Sequence, residues 1–252
     1  MPRWKTVRKV WIITGLTATV LFNGWMLLGR RAVIDESVLD SSNRVTVTET
    51  HERITFTPRM PSQSALIFFP GGTVAPRAYA PLCRAIADAG HEVVIVKMPF
   101  RWAMFEFQKQ TTMNRALATM QQTPRRWVVS GHSLGGAIAS RFAHEHGGKI
   151  AGLVLLGTTH PVELDLSQAR YPVTKLYATN DRIAKQEKVE ANRSRLPAHT
   201  QWVRIDGGNH VQFGSYAGQP GDGDATISRE RQQEIVRDAI LAVLDRLQSP
   251  AA

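Results

Sequence analysis

The 252-residue sequence contains a single cysteine, Cys83. One thiol cannot close an intrachain disulfide or assemble a cysteine-rich zinc site, so the framework must stand on packing alone. Acidic residues are missing before Asp35, whereas Arg3, Lys5, Arg8, Lys9, Arg30 and Arg31 all lie there. Of the formal net charge of +10, those six residues carry six units and leave +4 for the rest. No later stretch interleaves basic and aromatic residues as a nucleic-acid platform does, which argues against a nucleic-acid partner. Internal repeats and low-complexity tracts are also lacking. What is present is a chain 43% hydrophobic and 21% charged, with 19 Gly and 13 Pro. That composition suits one globular α/β body and is too apolar for a wholly disordered chain.

Charge is absent again between Lys9 and Arg30, in the twenty residues VWIITGLTATVLFNGWMLLG. A helix of that length covers about 30 Å, the thickness of a bilayer's hydrocarbon core. A buried core helix and a cleaved signal peptide are the competing readings. A signal's apolar region is shorter, about 7–15 residues, and ends in a small-x-small site that is missing before GRRAV. No lipobox is possible, because Cys83 lies far downstream. Trp11 and Trp25 fall near the two ends, where indoles favour an interface. The expectation is therefore an uncleaved anchor: basic tail 1–9, transmembrane helix 10–29, tether 30–44 and main domain 45–252. More basic residues precede the span than follow it, which predicts a single-pass plasma-membrane protein with a cytoplasmic N-terminus. The main domain would then lie on the outer, periplasmic or extracellular, side.

Beyond the tether, RVTVTETHERITFTP alternates apolar and polar residues and predicts one or two edge strands. A beat of apolar run, turn and helical pattern follows. ALIFF (65–69), HEVVIVKMP (91–99), RRWVVSG (125–131), KIAGLVLLG (149–157), VTKLYA (173–178) and TQWVRID (200–206) read as strands. Residues 76–90, a stretch before 122, 134–148, 184–196 and 229–247 read as helices. Strands apolar on both faces and alternating with helices predict a mostly parallel sheet covered on both sides. Only about 15 residues separate the strands at Gly157 and Val173, too few for a separate lid domain.

Ligands of such sheets bind beyond the carboxyl ends of the strands. RRWVVSG runs into Gly131-His132-Ser133-Leu134-Gly135-Gly136, a G-x-S-x-G motif set between a strand and a helix. The bare pattern arises by chance in roughly one chain of this length in twelve. Its strand-turn-helix setting is what gives it meaning. A nucleophilic serine needs a base and an orienting carboxylate. His210 follows the last strand in DGGNH, and Asp181 stands at the tip of the preceding strand in ATND. His160, His132, His144 and His146 are competing bases, and Asp206, Glu163 and Asp165 competing acids. His160 precedes Asp181 in the chain, His132 is expected to point away from its neighbour Ser133, and His144 and His146 sit on a helix. Two backbone N–H donors for an oxyanion are expected at Leu134 and, in the loop FPGGT, at Gly72, with Thr73 as second choice. Gln212, Phe213 and Tyr216 are either pocket lining or packing, and MPFRWAMFEF (98–107) is either a pocket wall, a membrane-facing surface or an amphipathic helix. Asp222 and Asp224 lack the ligand series of a calcium loop and suggest a capped loop instead.

FFPGG, GHSLGG, TND and GGNH together resemble the alpha/beta-hydrolase superfamily across roughly residues 65–247. GGNHVQFGSYAGQPGDGDATISRE resembles the fifth alpha/beta-hydrolase family, related to dienelactone hydrolases. The resemblance implies a serine or cysteine hydrolase fold and the order Ser133, Asp181, His210. Dienelactone hydrolases carry cysteine at the nucleophile, where this chain has Ser133, so their lactone substrate does not transfer. Pro70 stands where many relatives have histidine. The expected activity is cleavage of a small-molecule or lipid-like carboxylic ester through an acyl-enzyme, with neither metal nor organic cofactor. An acyltransferase or thioesterase on the same triad, and a non-catalytic tethered binding module, are the alternatives.

Overall fold

A computed structural model describes residues 2–248 of the chain. Helix α1 (Pro2–Gly29) opens it, and its side chains from Trp4 to Gly24 are all exposed. The expected transmembrane anchor does not stand: among the described residues no helix is long and apolar enough to cross a membrane. The reason is compositional. The stretch lacks charge, yet Thr14, Gly15, Thr17, Thr19, Asn23 and Gly24 dilute its apolar residues, and the helix begins on Lys5, Arg8 and Lys9. Thr19 Oγ1 and Asn23 Nδ2 donate to the carbonyls of Gly15 and Thr19 at 2.8 and 2.7 Å, which satisfies these groups without making them apolar. Freedom from charge is a weaker condition than continuous hydrophobicity. The single-pass plasma-membrane location, its orientation and the membrane as partner fall with the anchor.

The body is one eight-stranded sheet. Its strands are β1 (Val45–Glu49), β2 (Arg53–Pro58), β3 (Ser64–Phe69), β4 (Glu92–Val96), β5 (Arg126–His132), β6 (Gly152–Leu156), β7 (Val173–Ala178) and β8 (Gln201–Ile205), in the order β1-β2-β4-β3-β5-β6-β7-β8. β1 and β2 pair antiparallel, as does β2 with β4, and every pairing from β4 to β8 is parallel. Parallel neighbours need crossovers, and these are supplied by α2 (Ala80–Asp88), α3 (Glu106–Gln122), α4 (Leu134–His146) and α5 (Gln186–Ala191), with α6 (Arg229–Arg246) closing the chain.

Strand alternation divides the core into two layers. Leu66 and Phe68 of β3 join Cys83 and Ile86 of α2 and Val236 and Ile240 of α6 on one face. Ala65, Ile67 and Phe69 join Met113 of α3 and Ile138 and Phe142 of α4 on the other. A sheet buried on both sides needs strands apolar throughout, and every residue of β3, β4, β6 and β7 is buried. Cys83 is one of the core residues, and burial raises its thiol pKa. The link between Leu156 and Val173 forms neither helix nor strand, so no lid domain stands over that part of the rim.

Candidate active site

Ser133 occupies the turn between β5 and α4 with φ 54° and ψ −118°, a conformation that costs a non-glycine residue about 1–3 kcal/mol. Surrounding bonds impose it. Ser133 N–H donates to Leu156 O at 3.0 Å, and Ser133 O accepts from Gly136 and Ala137 N–H at 2.9 and 3.2 Å. The flanking glycines are steric necessities: a Cβ on Gly131 would collide with the Gly135 carbonyl, and one on Gly135 with the Phe69 carbonyl. The turn leaves Ser133 half-buried at the edge of a cleft of about 190 Å³, lined also by Gly72, Trp102, His132, Leu134 and Gln219.

His210 and Asp181 meet in the interior. His210 Nδ1 and Asp181 Oδ2 are 2.8 Å apart, with both side chains almost fully buried. Asp181 Oδ1 accepts from Ile183 and Ala184 N–H at 2.8 and 2.7 Å, which fixes the carboxylate plane. An ionised carboxylate only accepts, so Nδ1 carries the proton and Nε2 presents a lone pair. That Nε2 is buried and has no hydrogen-bond partner among the described residues, so the link from Ser133 Oγ to His210 is not formed.

A lattice that sequence reasoning missed holds the two loops in register. Asp222 Oδ2 accepts from Val211 N–H at 2.9 Å, while its Oδ1 accepts from Gly223 at 2.8 Å and Arg182 at 3.4 Å. It therefore ties the residue after His210 to the residue after Asp181. Gln232 of α6 accepts from Asn209 N–H at 3.0 Å and donates to Asn209 O at 2.8 Å. The loop containing Asp222 and Asp224 is thus occupied as a staple, and among the described residues no acidic or histidine cluster could hold a metal.

His132, expected only to point away from Ser133, packs against His210, ring centroids 4.5 Å apart, and stacks with Phe213 at 5.4 Å. Tyr79 Oη accepts from Gly71 N–H at 2.9 Å and is hydrogen-bonded to His132 Nδ1 at 2.8 Å. Burial above all, then the neighbouring His210 and Arg30, pushes the His132 pKa well below its ordinary value and keeps the ring neutral. Strand alternation carried the signal: Val128 faces the α2–α6 layer, and His132, four residues on, shares its side of β5. Phe213 and Tyr216 are buried packing rather than cleft lining.

The other candidates lie elsewhere. Asp206, Glu163 and Asp165 are exposed, Asp206 pairing with Arg204. His144 is exposed and His160 lines a separate groove of about 600 Å³ that shares Leu134 with the smaller cleft. Thr73 N–H donates to Arg101 O at 2.5 Å, so it is already engaged. Gly72 N–H has no such partner among the described residues, and Leu134 is the first residue of α4, whose N–H has no intrahelical acceptor. From the 98–107 segment, Trp102 and Met104 line the cleft, while Phe100, Phe105 and Phe107 are exposed.

Residues 65–234 match the family model described as alpha/beta hydrolase family, the fifth of that series. The chain belongs to the alpha/beta hydrolase family. No curated protein matches the hydrolase in sequence. Among solved structures it is similar to the Paleococcus ferrophilus monoacylglycerol lipase, at 13% identity and TM-score 0.60, covering 78% of this chain and 99% of that one. It is similar also to a dienelactone hydrolase from Anabaena variabilis (13% identity, TM-score 0.58, 79% and 97% covered). A third is a dienelactone hydrolase-like promiscuous phosphotriesterase from metagenomic libraries (14%, 0.60, 81% and 98%). Identities this low establish a common fold and leave the substrate to the site itself.

Proposed function

We propose that this hydrolase cleaves carboxylic esters through an acyl-enzyme on Ser133. His210 Nε2 takes the Ser133 proton as Oγ attacks the carbonyl carbon, and Asp181 holds the imidazole tautomer and stabilises the imidazolium. The tetrahedral oxyanion is received by the N–H groups of Gly72 and Leu134, with the N-terminus of α4 adding its favourable dipole. The same proton then passes to the departing alkoxide. Water, deprotonated by Nε2, releases the acyl group and restores Ser133. The catalytic unit begins at residue 45, with residues 30–44 packed upon it.

One observation supports the reading most: the 2.8 Å contact between His210 Nδ1 and Asp181, which leaves Nε2 as an unbonded acceptor. Joining Nε2 to Oγ is the adjustment the mechanism requires, and such bonds tighten when substrate closes the site. A fluorophosphonate probe should label the wild-type chain and fail to label Ser133→Ala. A folded wild type that stays unlabelled would sink the proposal in favour of a binding module. An acyl-chain series with and without an alcohol acceptor separates hydrolysis from acyl transfer, since transfer yields a new ester.

A further inference from the structure

Residues 30–34 precede the family-matched region, yet they pack on the hydrolase body and Arg30 lines the Ser133 cleft. Ala75 N–H donates to Arg30 O at 2.9 Å, Val33 N–H to Ser215 O at 2.8 Å and Ala217 N–H to Arg31 O at 3.3 Å. Ala32 and Tyr216 form an antiparallel bridge. These bonds fix the backbone so that the Arg30 side chain enters the cleft, where Nη1 donates to Gly72 O at 2.9 Å and to Thr73 Oγ1.

The guanidinium is only partly satisfied. Nε is buried without a partner, Nη2 makes no hydrogen bond, and no carboxylate lies within ion-pair distance among the described residues. A half-buried cation without a counter-ion bears a desolvation cost that its two neutral acceptors offset only in part. Holding a carbonyl and a hydroxyl needs no permanent charge, since a neutral amide donor could do the same. Arginine adds a permanent charge and a further donor, and Nη2, unlike Nε, is neither bonded nor sealed from solvent where Arg30 lines the cleft of the nucleophile.

We propose that Arg30 selects ester substrates that carry a carboxylate, binding it through the unspent Nη2 of the guanidinium while the ester carbonyl lies at Ser133. This rests on the ester-hydrolase reading above. The segment from 30 to 34 is then part of the substrate site rather than a passive connection. Arg30 also steadies the loop bearing Gly72, so the decisive readout is a ratio between substrates and not a rate.

The test compares p-nitrophenyl esters of equal chain length ending in methyl, carboxylate or phosphate, on the full chain. In Arg30→Gln the carboxylate-to-methyl ratio of kcat/KM should fall about 10- to 100-fold, mainly through KM, and Arg30→Lys should recover part of it. Calorimetry of glutarate with Ser133→Ala should show binding that disappears in Ser133→Ala/Arg30→Gln. An unchanged ratio, or equal losses on both esters, overturns the proposal, because a loop pin alone lowers both alike. A ratio that falls for the phosphate ester and not for the carboxylate ester also overturns it. If probe labelling and turnover fail while glutarate still binds through Arg30, the hydrolase reading fails and the anion site survives. If labelling and turnover succeed with an unaltered ratio, the anion site alone fails.

Discussion

At the tips of β7 and β8 the polar atoms are bonded almost without exception. Asp181 accepts three hydrogen bonds, Asp222 three more, and Gln232 clasps Asn209 from both sides. Across the cleft, at the tips of β3 and β5, the donors of Gly72 and Leu134 stand open and the Arg30 fork is half-filled. The difference matches what the proposed mechanism asks of each rim. A base must hold one tautomer and one orientation through every turnover, which calls for bonds present in the resting protein. An oxyanion exists only during reaction, so its donors must be aimed in advance yet left unspent. Gly71, Tyr79, His132 and His210 form a continuous contact between the bonded side and the open side.

The bonded rim is most sharply tested at Asp181. In Asp181→Asn the amide can donate to Nδ1 and favour the opposite tautomer, turning Nε2 into a donor; kcat should fall ~10⁴-fold with little change in KM. A loss under tenfold would show that the carboxylate does not set the tautomer. Asp222→Ala comes next. It removes the acceptor shared by the loops of Asp181 and His210, and the expected cost is up to about 100-fold in kcat through misplacement of the base. Denaturant midpoints should fall alongside by about 1–3 kcal/mol. Tyr79→Phe tests the connection between the rims: it strands Gly71 N–H and His132 Nδ1, and stability should drop by about 1–3 kcal/mol. A smaller loss of turnover, about tenfold, should accompany it as the His132 ring loosens against His210. Full activity in Tyr79→Phe would mean that the rims are independent.

The same contrast explains what could be read from the sequence. The elbow was legible because steric necessity writes glycine at 131 and 135, and strand tips were legible because two-sided burial writes continuous apolar runs. Asp181 and His210 stood at those tips in chain order. Asp222, Gln232 and Tyr79 were not legible, since their bonds join segments far apart in sequence and any polar residue in a loop looks alike from the chain. Arg30 was counted as one charge of a basic N-terminus, and only the fold reveals that it enters the cleft. The N-terminal helix shows the opposite case: an uncharged run resembles an apolar one in the sequence, yet its threonines, glycines and asparagine keep it too polar to span a membrane.

The smallest effect expected lies one layer beneath the bonded rim, at Lys175 of β7. It sits in register between Leu155 and Trp202, fully within the sheet, and its Nζ donates to His160 O in the β6–β7 link. Burial lowers its pKa from the ordinary 10.5 to about 7. Between those values the unfolded chain holds a proton that the folded chain has released, so stability rises with pH across the window and the penalty is full below about pH 7. Lys175→Met removes the charge at every pH and also leaves His160 O without its donor, a cost that does not vary with pH. The readout is therefore the difference in unfolding midpoint between variant and wild type, followed from about pH 6 to about pH 10. It should favour the variant most at the acid end and shrink steadily toward the alkaline end. A flat difference would mean that the ammonium keeps its proton inside the sheet, and that bonding around the β7 tip tolerates a buried charge as well as a neutral amine.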